Sequence, residues 1–173
     1  RTKGQSRTKQ FKGNAQFQIV DIPDSSYIRR KYYDITFGNA SFLPIKPGSE
    51  KVYIDYRTSQ PVDGIIITSM TANDFNIPSV TYTGRFKLLT RGIDYTIDYN
   101  RGEIVFSRSL DPQDVVIVNY QRSDGSYLDS DGMYKILKTP NDIYISNPDE
   151  KGWRNEIKTY YFIGQIGIVR DNG

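Results

Sequence analysis

Cysteine and histidine are both absent from the 173 residues, and these two absences exclude more chemistry than any residue present supplies. Without cysteine there is no disulfide framework and no thiol nucleophile. Without histidine as well, the usual zinc and copper ligand sets and the Ser-His-Asp and Cys-His arrangements cannot be assembled. Phosphate-cradling strings of the GxxxxGK-S/T or GxGxxG type do not occur. No apolar run approaches the roughly 18 residues that a membrane helix requires, so no transmembrane helix is expected. The chain opens at Arg1 without a charged-then-apolar leader and stops in the turn residues Asp171-Asn172-Gly173, so it reads as processed or cut from a longer protein.

Acidic residues are missing from the first twelve positions, where Arg1, Lys3, Arg7, Lys9 and Lys12 give five cations. The other 18 cations are outnumbered by the 20 anions, so the net charge of +3 is a local feature of one end. Residues 1–13 have the composition of a basic arm, held in place by strand addition to a sheet or by a partner chain. No second basic stripe or recognised module accompanies the arm, so nucleic acid is not an expected partner.

Aromatic residues are plentiful: 14 Tyr and 8 Phe with a single Trp. Such a Tyr-heavy set suits a β-rich domain with half-wet sheet faces, or an adhesive surface. The clearest stretch is 94–106, DYTIDYNRGEIVF. Tyr95, Ile97 and Tyr99 alternate with Asp94, Thr96 and Asp98, a period of two that puts rings on one face of a strand. Asn100, Arg101 and Gly102 supply a three-residue hairpin loop, and Ile104 and Phe106 return on the parity that meets the Tyr95–Ile97 face. Residues 115–120, VVIVNY, read as a strand covered on both faces and as the best core candidate. Further strands are expected at 15–22, 27–37, 51–57, 65–67, 80–89, 133–137, 143–146, 156–164 and 166–170, with no convincing helical period anywhere. Short strands at regular spacing with turn signals between them predict an all-β fold, an antiparallel sandwich or partly open barrel. Its expected divisions are the arm 1–13, a main domain 14–122 and a β extension 123–173 packed on or continuing the same sheet.

Three stretches are candidates for contact. In 27–37, Arg29, Arg30 and Lys31 lie between Tyr27 and the Tyr32–Tyr33 pair, a pattern that serves either as a stacking platform for sugars or as an edge strand guarded by its own charges. Residues 70–79, MTANDFNIPS, read as a surface loop carrying an exposed Phe75. In 123–132 the carboxylates of Asp124, Asp129 and Asp131 crowd oxygen donors into a flexible loop, which suits calcium, although the spacing is not that of an EF-hand. No other cofactor is expected. Asp94 and Asp98 share a strand parity, but solvated hairpin acids account for them, so no catalytic pair is assigned and no enzyme is expected.

The strings 47–55 (PGSEKVYID), 88–106 (LLTRGIDYTIDYNRGEIVF) and 115–120 together resemble a β-module of large bacterial surface proteins. Modules of this kind recur in giant outer-membrane-associated proteins, including the translocon and gliding-motility protein of type IX secretion, and related strings occur in phage tail proteins. With 155–161 (NEIKTYY) included, the likeness spans roughly 27–173. It implies a secreted or outer-membrane-associated location at the cell surface. The implied role is non-catalytic, structural or adhesive, with association through edge-strand pairing to other chains or neighbouring domains. Alternatives are a surface-polysaccharide module using Tyr27, Tyr32 and Tyr33 or the 70–79 loop, and a component of a phage tail or injection machine.

Overall fold

The computed structural model describes residues 28–57, 66–142, 155–157 and 159–160. Among these residues eight strands form: β1 (Tyr32–Asp34), β2 (Lys51–Asp55), β3 (Ile67–Asn73), β4 (Thr81–Leu88), β5 (Tyr95–Asp98), β6 (Glu103–Phe106), β7 (Val115–Asn119) and β8 (Tyr134–Lys138). Single 3-10 turns occur at Ala40–Phe42 and Pro140–Asp142. The all-β expectation holds. β1, β6 and β5 make a three-stranded sheet, while β2, β4, β3, β8 and β7 close on one another as a five-stranded barrel. One compact unit spans Arg29–Ile157. A second joins Arg1–Ile28 to Lys158–Gly173, and within it the Ile28 N–H donates to the Tyr160 carbonyl at 2.8 Å. The basic arm and the strands expected at 15–22, 143–146 and 166–170 lie outside the described residues.

Two apolar clusters explain how the layers adhere, and β7 belongs to both. Val116 and Val118 pack with Val52, Ile54 and Leu137 against Tyr33, Tyr95, Ile104 and Phe106 of the three-stranded sheet. Val115 and Ile117 turn the other way, into the barrel, with Ala72, Phe86 and Ile136. All five β7 residues are buried, as an apolar run without alternation predicts. Each fully buried Val or Ile side chain contributes about 1.5–3 kcal/mol relative to exposure, so this short strand carries a large share of the burial energy.

The central hairpin forms in the expected register, with Tyr95 opposite Phe106 and Ile97 opposite Ile104. Its loop differs. Four residues, 99–102, separate the strands, because the Asp98 carboxylate accepts the Asn100 and Arg101 N–H groups at 3.0 and 3.1 Å and the Gly102 N–H donates to the Asp98 carbonyl at 2.8 Å. Tyr99 is thereby released from the ladder.

Other boundaries shift for local reasons. Of 27–37 only Tyr32–Asp34 is strand; the Asp34 carboxylate accepts the Thr36 N–H at 2.8 Å and its hydroxyl at 2.6 Å, turning the chain. The loop expected at 70–79 begins later, since β3 runs on to Asn73 with Ala72 in the barrel core and Met70 packed against it. Asp74 then makes the turn, its carboxylate accepting the N–H groups of Asn76 and Ile77. Phe75 stacks on Phe37 with centroids 4.9 Å apart and meets Phe42 edge-on, so it packs against the core and is not an exposed recognition ring. Across the 122/123 boundary β8 pairs with β7 and closes the barrel.

Gly102 has φ +65°, and a Cβ there would lie 2.3 Å from Thr36 Cγ2. Gly102→Ala is therefore expected to cost about 2–4 kcal/mol in urea unfolding, from the left-handed backbone and overpacking together. Gly92→Ala, at φ +82° with nothing within 4 Å, should cost about half of that or less. Equal losses at the two positions would contradict the close approach.

Candidate functional site

Among the described residues of 27–33, the aromatic and basic side chains singled out take separate places. Period two turns Tyr33 inward, where it is 1% exposed and meets Phe106 edge-on, while Tyr32 is half-buried. Arg29 and Arg30 form a turn, and the carbonyls of Arg30 and Lys31 accept from the N–H groups of Leu110 and Phe106. Glu156 accepts the Arg30 N–H. Tyr27 is outside the described residues.

Two of the three acids expected to hold calcium have carboxylates engaged elsewhere, and the third is tied through its main chain. Asp124 accepts the Ser126 N–H at 2.9 Å and its hydroxyl at 2.5 Å, an ordinary turn. The Asp129 N–H donates to Asn119 Oδ1 at 3.2 Å. Asp131 reaches the other way, its Oδ2 accepting from Lys135 Nζ at 2.6 Å and from Asn73 Nδ2 at 2.8 Å. Among the described residues no three acidic groups gather as cation ligands. Asp94 and Asp98 are likewise engaged in turns, Asp94 accepting the Thr90 N–H at 2.7 Å.

Sheet edges decide where another chain could pair. A closed barrel has few, and the three-stranded sheet has its outer sides occupied. Along β1 the Asp34 N–H donates to the Asn155 carbonyl at 2.7 Å and the Ile157 N–H to the Tyr32 carbonyl at 2.9 Å. Along β5 the carbonyls of Tyr95 and Tyr99 accept from Gly92 and Ile45 at 2.7 and 2.9 Å. The segment 27–37 is thus not the open edge expected of it. β3 differs. The Asp74 N–H donates to the Val80 carbonyl, so by the two-residue period Ala72, Met70 and Thr68 bond to β4 and Thr71, Ser69 and Ile67 direct their main-chain groups outward. β8 pairs with β3 at Ala72 and Asn73, a parallel pairing that also engages the Thr71 carbonyl, and among the described residues nothing pairs with the outward side of 67–70. On the outward side of β4 a side chain covers one position: Asp55 Oδ2 accepts from the Arg85 N–H at 3.3 Å and from the Tyr82 hydroxyl at 2.8 Å. Sequence reading ends this strand at Ile67 because the Thr-Ser-Met-Thr-Ala run that continues β3 carries no rings.

A cleft of about 350 Å³ opens between 46–51 and 119–134, lined by Lys46, Lys51, Asn119, Gln121, Tyr127 and Tyr134 among others. Two cations, amides and phenols give it the chemistry to hold an anionic or polyhydroxylated group. Behind it, Lys135 is buried against Asn73 and Asp131. Nearby on β8, the buried Lys138 donates to the carbonyls of Pro112, Asp114 and Thr139 at 3.0, 2.8 and 3.0 Å, which satisfies its ammonium. No protein-family model, curated protein or solved structure matches this chain.

Tyr82 and Tyr134 both pack against the barrel core. Burial, then the Asp55 carboxylate, pushes Tyr82 up to about 12; burial, then Tyr53 and Asp129, does the same to Tyr134. Unfolded phenols ionise near about 10, so the contribution of these two protons is complete below that pH and is lost as pH rises through about 12. Absorbance titration of tyrosinate should show a group of phenols ionising near 12, and Tyr82→Phe should flatten the alkaline fall in stability. Ionisation of every phenol together near 10, in protein that circular dichroism shows is still folded, would contradict this.

Proposed function

We propose that this chain is a non-catalytic structural module of a large bacterial surface assembly, joined to a neighbouring copy by strand addition along the outer edge of β3. The observation that carries the reading is the pair of outward main-chain positions at Ile67 and Ser69, left without a neighbouring strand among the described residues. An extended segment laid there gains main-chain hydrogen bonds for affinity, while alternate side chains fix its register. Thr68, Ser69 and Thr71 are exposed, so the edge is polar and does not favour indiscriminate apolar association. The closed barrel beside it supplies a rigid support. The surface setting rests on the resemblance of 47–55, 88–106 and 115–120 to outer-membrane-associated modules.

Proline at an outward edge position removes a donor without breaking the β3–β4 ladder. Sedimentation of the parent chain over a concentration series should reveal association, and Ser69→Pro should weaken it about tenfold or more while circular dichroism stays the same. A parent that remains a single chain at every concentration, or a Ser69→Pro variant that associates equally well, would contradict the proposal.

A further inference from the structure

Lys135 and Asn73 are register partners on β8 and β3, the parallel pair of the barrel, and their side chains touch: Lys135 Nζ donates to Asn73 Oδ1 at 2.8 Å. Both are removed from water, at 5% and 2% exposure. One oxygen, Asp131 Oδ2, lies 2.6 Å from Lys135 Nζ and 2.8 Å from Asn73 Nδ2. A buried ion pair needs only the first of those contacts. A carboxylate oxygen placed against an amine and against the amide nitrogen of a neighbouring carboxamide is what a proton carrier needs in an exchange between the two.

We propose that Lys135 and Asn73 join in an intramolecular isopeptide bond, with Asp131 carrying the proton and ammonia leaving. Asp131 accepts a proton from the Lys135 ammonium, and the neutral amine attacks Asn73 Cγ. The Nζ–Cγ bond forms, and the proton passes through Asp131 Oδ2 to Nδ2. The Cγ–Nδ2 bond then breaks, and of the two protons on the newly bonded Nζ one stays on the amide nitrogen while the other passes to the departing ammonia. The products are one secondary amide and one ammonium ion, with Asp131 returned to its starting carboxylate, so no oxidant, metal or co-reactant is needed. The fixed pairing of β3 with β8 replaces a bimolecular encounter with an intramolecular one. Burial works to raise the Asp131 carboxyl, but the hydrogen bonds from Lys135 and Asn73 hold it down to about 2, so a protonated Asp131 is rare and the reaction is slow. A single event per chain tolerates a slow rate. The Asp131 side chain is 38% exposed, which leaves ammonia a way out.

The position of the bond gives it a purpose. β3 and β8 share two register pairs, against seven between β3 and β4, so this is one of the two thinnest seams of the barrel. A covalent tie there prevents the barrel from opening at a point where main-chain pairing is least. Lys138 serves as an internal comparison, since it is equally buried on β8 but donates to three backbone carbonyls that offer no leaving group.

Trypsin mapping of the folded, aged chain tests the bond. Expected is one cross-linked species joining residues 58–85 to 123–138, uncut after Lys135 and lighter than the sum of its peptides by one ammonia. Intact mass by itself does not decide, because Asn172-Gly173 can lose ammonia by cyclising on its own backbone. Asp131→Asn keeps both partners and should slow cross-linking at least tenfold, while Asn73→Ala and Lys135→Met should abolish it. Recovery of the two peptides separately from folded parent chain, with cleavage after Lys135, overturns the proposal; so does a folded Asp131→Asn chain that cross-links as fast as the parent. The result is independent of strand addition at β3, since the bond is read within one chain and association between chains.

Discussion

Covering β7 on both faces is the constraint from which the rest of the fold follows. A strand of five buried residues has no face to give to water, so one side must be roofed by a sheet and the other enclosed. The three-stranded sheet roofs Val116 and Val118, and closure of β2, β4, β3 and β8 around Val115 and Ile117 encloses the other side. Five strands leave a narrow lumen, and the barrel core has only Ala72, Phe86, Val115, Ile117 and Ile136, with Tyr53, Met70, Tyr82 and Tyr134 packed against it. Two of these rings, Tyr53 and Tyr134, meet edge-on at 5.5 Å.

Several polar groups carried into these cores have specific partners. Glu50 is buried where the chain enters β2, and its carboxylate accepts the Tyr95 and Tyr99 hydroxyls at 3.3 and 3.0 Å, with the Arg91 guanidinium 3.8 Å away. The release of Tyr99 from the hairpin ladder is what lets its ring reach that carboxylate, so the four-residue loop and the Glu50 network are one device. Tyr120, fully buried, donates to the Ile35 carbonyl at 2.6 Å and ties the end of β7 to the turn after β1. A buried polar group with a partner costs little, whereas one left alone costs about 1–3 kcal/mol. These contacts therefore restrict which packing is allowed more than they add to its strength.

Much of the fold was legible in the residues. Strict alternation in 94–99 and 103–106, and its absence in 115–119, named the hairpin and the doubly covered strand because the period of a strand is set by backbone geometry alone. Closure of the barrel was not legible, since it depends on β3, whose inward residues are Met70 and Ala72, and on β8, whose two lysines are buried. The candidate sites were read least well. Tyr33 and Phe75 were counted as recognition rings but pack with the core, because sequence shows that a ring is present and not which side of the sheet covers it. Asp131 was grouped with its acidic neighbours in the chain, while its partners Asn73 and Lys135 lie on two strands that only the fold brings together.

Edges and seams then define what such a module can do. Pairing occupies the outer side of β1 and part of that of β5, and a carboxylate covers Arg85 on β4, while β3 is both an open edge at Ile67 and Ser69 and one half of a thin seam. Amide hydrogen exchange tests the underlying claim most directly. If β7 is the common element of both cores, the N–H groups of Val116, Ile117 and Val118 will exchange only through global unfolding, more slowly than those of the β5–β6 hairpin and of outer β3. Exchange at β7 faster than in that hairpin would contradict the account.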